Sequence, residues 1–137
     1  MAGFRLRSSG LGHAFVIDRR IEGAIVETIE WKDFEKVELR VGRILQADEF
    51  KEARQQAFIL YVDFGRELGV KKSSARIAGL YSREELIGRL VVGVVNVPPR
   101  QIGPVTSECL ITGFHNADGE VALCVPDKNV PLGARLC

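Results

Sequence analysis

The stretch "SREELIGRLVVGVVNV", Ser82–Val97, holds the reading on which the fold turns. Its first half has the marks of a helix start, with Ser82 as N-cap and Glu85 three residues on at the capping-box position. Only one or two turns fit before Gly88. Its second half is nearly all β-branched, which predicts a strand buried on both faces. A short helix that feeds directly into a buried strand restricts the architecture, provided strands also flank it.

They do. On the N-terminal side, "KVELRVGRILQA" (Lys36–Ala47) alternates Val37, Leu39 and Val41 with Glu38 and Arg40, and Gly42 then shifts the phase as a bulge would. In "AFILYVDFG", Phe58, Leu60, Val62 and Phe64 share one face. Lys72 to Gly79 suggests a shorter strand. On the C-terminal side, "SECLITGF" and "VALCV" are two further strands joined by "HNADGE", whose Asp118-Gly119 pair is a hairpin signal. Between Val95 and Ser107 the chain carries Pro98, Pro99, Arg100 and Gly103-Pro104, a connection stiff enough to hold an open shape rather than a tight hairpin. The tail "PDKNVPLGARLC" is punctuated by Pro and Gly, with Val130, Leu132 and Leu136 available to pack. Five or six strands with one helix between the third and fourth predict an all-β fold, a closed OB-type barrel with flanking N- and C-terminal segments.

The bulk numbers agree. At 137 residues the chain suits one domain able to bury a core without covalent staples. Its 46% hydrophobic and 27% charged content is that of a soluble globular protein. Nineteen basic against eighteen acidic residues leave no overall field to draw in a polyanion. Three widely spaced cysteines, with no CxxC, argue against a disulfide framework or zinc site and for reduced thiols in the cytoplasm. No apolar run approaches the roughly 20 residues that span a bilayer, and no signal-peptide core precedes the domain. Residues 1–30 read as an N-terminal extension, partly ordered, ahead of a domain spanning 31–137. Ile21, Ala24, Ile25 and Ile29 suggest a short amphipathic helix between Arg19 and Glu30, which Trp31 to Phe34 either continue or leave for a separate turn.

No catalytic constellation emerges. "GVKKSS" (Gly69–Ser74) lacks the upstream glycine and the strand-to-helix setting of a phosphate loop. His13 and His115 read as exposed loop histidines, and Cys109 and Cys124 as small core hydrophobes. Cys137 has no activating neighbour in sequence. Glu84 and Glu85 suit a helix start. No metal or cofactor is implied. What remains is binding: Lys71, Lys72, Ser73, Ser74 and Arg76, with Arg100, are either one rim of the barrel or solvated surface.

The motifs "FEKVELRVG", "LGVKKSSARI", "EELIGR", "VVNVPPRQIGP" and "SECLITGF", in this order, resemble the export-related CsaA chaperones of the tRNA-binding-domain family. The resemblance runs from Asp33 into the tail, about three-quarters of the chain. It implies an OB-fold homodimer that binds unfolded or precursor polypeptides without ATP, with dimer contacts near Trp31, Phe34, Leu132 and Leu136. The wider family's frame, Asn-Leu-x-Pro rich in cations and then Gly-x-x-Ser, is kept at Asn96, Pro99, Gly103 and Ser107. Between Asn96 and Pro104, however, only Arg100 is charged. Each phosphate contact adds close to one unit to the logarithmic salt slope, so this turn is a poor polyanion cradle. The expected peptide- or RNA-binding residues are Lys72, Ser73, Ser74, Arg76, Asn96, Pro98, Pro99, Arg100, Ile102, Ser107 and Glu108. Val97, the prolines and Ile102 would offer apolar contact, and Ser107 and Glu108 either join the rim or brace it. The alternative partner is tRNA on the same rim.

Overall fold

The computed structural model describes residues 26–53 and 56–137, together with the backbone of two short N-terminal strands. The chain divides into two compact units, Met1–Lys36 and Val37–Cys137. In the first, β1 (Leu6–Ser8) pairs antiparallel with β2 (Phe15–Ile17), Leu6 opposite Ile17. The helix expected between Arg19 and Glu30 falls largely outside the described residues, and residues 26–30 are not helical. Helix begins instead at Trp31, as a separate five-residue α1 (Trp31–Glu35) that buries none of its side chains. So short a helix gains little from its own hydrogen bonds.

The second unit is built on a five-stranded antiparallel sheet in the order β5-β4-β3-β6-β9, curled into a nearly closed barrel. Its strands are β3 (Leu39–Glu49), β4 (Phe58–Asp63), β5 (Val70–Ala75), β6 (Leu90–Val94) and β9 (Leu110–Ile111). The helix α2 (Arg83–Leu86) lies between the third and fourth of them, the arrangement of an all-β OB barrel. Its start is the capping box expected: Ser82 Oγ accepts from the Glu85 N–H, and Glu85 Oε1 accepts from the Ser82 N–H at 2.7 Å. Leu86 is thereby turned into the core, fully buried. Phe58, Leu60, Val62 and Phe64 all face inward, as the alternation in β4 required, and pack with Ile44, Ile77, Val91 and Leu123. β6 is less enclosed than its composition suggested, since Leu90 and Val92 are only half buried.

The bulge in β3 is displaced from the expected position. The register with β4 shifts between Ile44 and Gln46, so the extra residue is Leu45, which is turned outward. Gly42 has a different reason to be glycine. A Cβ there would stand 2.5 Å from Val62 Cγ1 and 2.8 Å from Phe64 Cδ1, because the Phe64 ring lies against the β3 backbone. Gly93, across on β6, is crowded by the same ring.

The segment after β6 is also more structured than its prolines implied. Pro98 and Pro99 do hold an exposed open stretch, but β7 (Arg100–Ile102) and β8 (Val105–Ser107) follow as a tight hairpin. Gly103, at φ +58°, takes the first corner position and Pro104 the second, the arrangement of a type II′ turn. "SECLITGF" is accordingly broken into the end of β8, β9 and β10 (Gly113–His115), the last paired with β11 (Val121–Leu123). Lastly, the tail lies along the first half of β3. Val41 N–H donates to the Ala134 carbonyl, Gly133 N–H to that of Val41, and Leu136 N–H to that of Leu39. Glu38 fixes it from the side, holding Arg40 with Oε1 at 2.9 Å and Arg135 with Oε2 at 3.2 Å.

Candidate binding face

Strand alternation decides which side chains reach the surface. Along β5, Lys71, Ser73 and Ala75 turn toward the barrel interior, while Val70, Lys72 and Ser74 turn out. The basic cluster read from "GVKKSSAR" is therefore divided, with Lys71 and Lys72 on opposite sides of one strand. Across the outer surface the register aligns Gln46, Tyr61 and Lys72 in one row and Asp48, Ile59 and Ser74 in the next. Two connections border these rows. One is the β3–β4 loop, described at residues 50–53 and 56–57; the other is the long β6–β9 connection that carries the hairpin. In OB folds the outer face of the second and third strands, framed by these two loops, is the usual ligand surface.

The hairpin is fixed to this face at two places. At its tip, Ile102 and Val105 pack with Phe50, Ala57, Ala53 and Ile59 in a small apolar cluster separate from the main core. Ile102 is thus half buried in the molecule's own packing, a correction to its expected role as exposed apolar lip. Val97 is likewise half buried. At its base, β8 packs against β5. Glu108 N–H donates to the Lys72 carbonyl at 2.7 Å, and Glu108 Oε1 accepts from the Lys72 N–H at 2.8 Å. Ser107 Oγ accepts from the Ser74 N–H at 3.1 Å. Ser73 and Ser107 are both buried, their hydroxyls 3.5 Å apart. They lie beneath the surface rather than on it; Ser107 and Glu108 brace the turn through these bonds, and Glu108 is at the same time exposed.

The structure therefore brings the two expected segments together, since Arg100 is paired with Ser107 and Ser107 is bonded to β5. Pro98, Pro99, Arg100 and Gln101 form the exposed part of the rim, with Arg76 exposed just past the end of β5. Asn96 anchors the rim's root, its Oδ1 accepting from the Glu38 N–H at 3.0 Å. Charge on the face is mixed. Lys72 and Arg100 share it with Asp48 and Glu108; Asp48 is engaged by the Gln46 amide, whose Nε2 lies 2.9 and 3.1 Å from its two oxygens. Gln101 spends its amide within the hairpin, donating to the Gly103 carbonyl and accepting from Thr106 Oγ1, both at 2.7 Å. Tyr61, Gln46, Asp48 and Phe50 were absent from the sequence reading. The period of two in "AFILYVDFG" could have supplied Tyr61, as an outward residue between inward Leu60 and Val62.

Beneath the seam, burial pushes the Cys109 thiol up from 9.0 to about 11, opposed by the Lys71 ammonium and the Ser73 hydroxyl, with Glu108 adding to the rise. That is an inert core thiol. His115 is exposed, as expected, although on β10 rather than in a loop, with Nδ1 3.1 Å from the Gly119 carbonyl; His13 lies outside the described residues. A cleft of about 630 Å³ elsewhere on the barrel, lined by Arg40, Asp63, Arg66, Glu67 and Leu132 among others, contains none of the expected binding residues. Of the expected dimer residues, Trp31 is 82% exposed and Leu136 and Phe34 are also exposed, while Leu132 is half buried along that cleft. Among the described residues no group of His, Cys, Asp and Glu is placed to hold a metal ion, and no helix is long and apolar enough to cross a membrane.

An OB barrel with a loop-framed outer face and mixed charge is a binding module in form. Residues 39–135 match the family model described as "Putative tRNA binding domain", and the chain belongs to that family. Among solved structures it is similar to the CsaA chaperone of Bacillus anthracis, at 41% identity and a TM-score of 0.76 over 81% of this chain and all of that one. The CsaA chaperone protein of Picrophilus torridus gives 40% identity and the same TM-score over 80% and 100%. The methionine–tRNA ligase of Thermococcus onnurineus is 35% identical over 120 residues, 87% of this chain. The chain spans only 16% of that ligase.

Proposed function

We propose that this protein is a chaperone without catalytic activity, binding unfolded or precursor polypeptides without ATP, in connection with protein export in the cytoplasm, and acting as a homodimer. Two solved structures at 40–41% identity, each matched over its entire length, are CsaA chaperones. The observation that carries the reading is the mixed charge of the face, where Lys72 and Arg100 stand among Asp48, Glu108 and uncharged Tyr61, Ile59, Pro98 and Pro99. Such a surface suits backbone amides and apolar side chains better than a run of phosphates. Burying one client side chain there contributes on the order of 1.5–3 kcal/mol before ordering costs, which gives weak and sequence-tolerant capture. Arg100 and Lys72 would bond client carboxylates and carbonyls, with Tyr61 and the prolines as apolar contact. Trp31 and Leu136, too exposed for a lone protomer to gain from them, would be covered by the second copy.

The test is light scattering of a chemically denatured enzyme diluted into buffer without ATP, with and without the protein. Protection is expected from the parent and at least severalfold less from a Lys72→Glu, Arg100→Glu double variant. No protection by the parent refutes the reading. The second reading, tRNA binding, is favoured by the family model and by the methionine–tRNA ligase relatives. Filter binding of tRNA at two salt concentrations separates the two, since a tight complex with a steep salt slope requires many phosphate contacts.

A further inference from the structure

β5 is the terminal strand of the five-stranded order, yet its outer edge is not bare. The main-chain N–H groups of Lys72 and Ser74, two residues apart, both point along that edge. In a sheet they would meet the carbonyls of a neighbouring strand, at the two-residue repeat of an extended chain. Here their acceptors are side-chain oxygens, Glu108 Oε1 for Lys72 and Ser107 Oγ for Ser74. Glu108 and Ser107 are consecutive residues, so they imitate with their side chains what an extended strand would supply with alternate carbonyls. One main-chain bond, Glu108 N–H to the Lys72 carbonyl, completes the mimicry.

We propose that this edge is the docking line for an extended segment of a polypeptide client, which adds to β5 by displacing Ser107 and Glu108. The proposal rests on the chaperone reading above and deepens it. An unfolded chain offers at every residue the donor and acceptor that Lys72 and Ser74 require, so pairing through the main chain explains capture without a sequence motif. The hydrogen bonds given up are replaced in kind. Ile102 and Val105 keep the hairpin tip in its own apolar cluster, and Cys109 keeps the far side of the displaced stretch in the main core. Release is thereby confined to the residues between those anchors. The added segment would lie beside the outward Lys72 and Ser74 side chains and so reach the face that carries Tyr61 and Arg100.

The probe is a peptide of about eight residues alternating valine with serine, a common strand length, and its analogue N-methylated on the amides of alternate residues, in both phases. Amide hydrogen exchange of the full chain should show Lys72 and Ser74 protected when the parent peptide binds. In one phase the methylated analogue should bind about fivefold more weakly for each amide blocked, with side chains unchanged. Glu108→Ala, which removes one cap from an exposed position, should bind the parent peptide about fivefold more tightly; Glu108→Gln, which retains an acceptor oxygen, should gain less. Equal binding of peptide and both analogues, or unchanged exchange at Lys72 and Ser74, overturns strand addition while leaving the chaperone reading intact if aggregation is still suppressed. A parent protein that neither binds the peptide nor suppresses aggregation overturns both.

Discussion

Replacing Ser107 by alanine removes one oxygen atom from a buried site, and its cost follows from what that oxygen holds. Ser107 Oγ accepts from the Ser74 N–H at 3.1 Å and can donate its single proton to the Cys109 carbonyl at 3.3 Å or to Ser73 Oγ at 3.5 Å. The acceptor role dominates, because among the described residues Ser107 Oγ is the acceptor that the Ser74 amide meets on a β5 edge packed against β8. Leaving a part-buried donor unpaired costs about 1–3 kcal/mol. The long bond to the Cys109 carbonyl adds little, and the cavity left by one oxygen is small. We expect Ser107→Ala to lose about 2 kcal/mol, which for a barrel of this size lowers Tm by roughly 8 °C. Urea unfolding should show the loss as a lower midpoint at unchanged m-value. Ser107→Thr, which retains the hydroxyl, should lose less. Exchange of the Ser74 amide should accelerate more than that of Leu60 or Val62 on the neighbouring strand. A Tm within 1 °C of the parent would show that water reaches Ser74 without penalty, and the seam would then not depend on this side chain.

Two further expectations concern the thiol and the assembly. The folded-state pKa of Cys109, about 11, lies above its ordinary value of 9.0, so the folded state favours the neutral thiol. The stability this supplies is fully present below pH 9 and is lost as pH rises through about 11, on the order of 2–3 kcal/mol; stability curves of parent and Cys109→Ala should therefore converge over that window, and parallel curves would refute the assignment. For the dimer, sedimentation of the parent should give twice the chain mass and a Trp31→Asp, Leu136→Asp variant a single chain mass; a monomeric parent refutes that part of the proposal.

The barrel was legible because its signals are local. The capping box at Ser82 and Glu85 and the inward alternation of β4 are each decided within a few residues, and both stand in the structure. The bulge was misplaced because glycine has two uses in a strand, and the sequence does not distinguish them. Gly42 is there to admit the ring of Phe64, twenty-two positions away, while Leu45 bulges without any compositional mark. Prolines misled in a similar way: Pro98 and Pro99 do open the chain, but the hairpin that starts directly after them, at Arg100, is set by Gly103-Pro104. On the candidate face, Arg76, Pro98, Pro99 and Arg100 are exposed as the sequence suggested, and Lys72 is half buried with its side chain on the outer side of β5. Ser73 and Ser107 could not be recognised as buried, nor Ile102 as half buried, without the packing of the hairpin against β5 and Phe50, which is tertiary information.

The tail's place beside β3 has a kinetic side. Arg40 bonds the Gly133 carbonyl, ninety-three positions along the chain. A contact that distant requires closing most of the domain into one loop, so its entropic cost is met only after the local hairpins exist. Late to dock, the tail is held to β3 by three main-chain hydrogen bonds and by the Arg40 and Arg135 side chains, and we expect these to be lost together when the barrel loosens. Leu39 and Val41 then present an unpaired row of amides and carbonyls that the same segment of another molecule fits equally well. Crowded or warmed, this chain is thus disposed to exchange its ends between molecules before it unfolds.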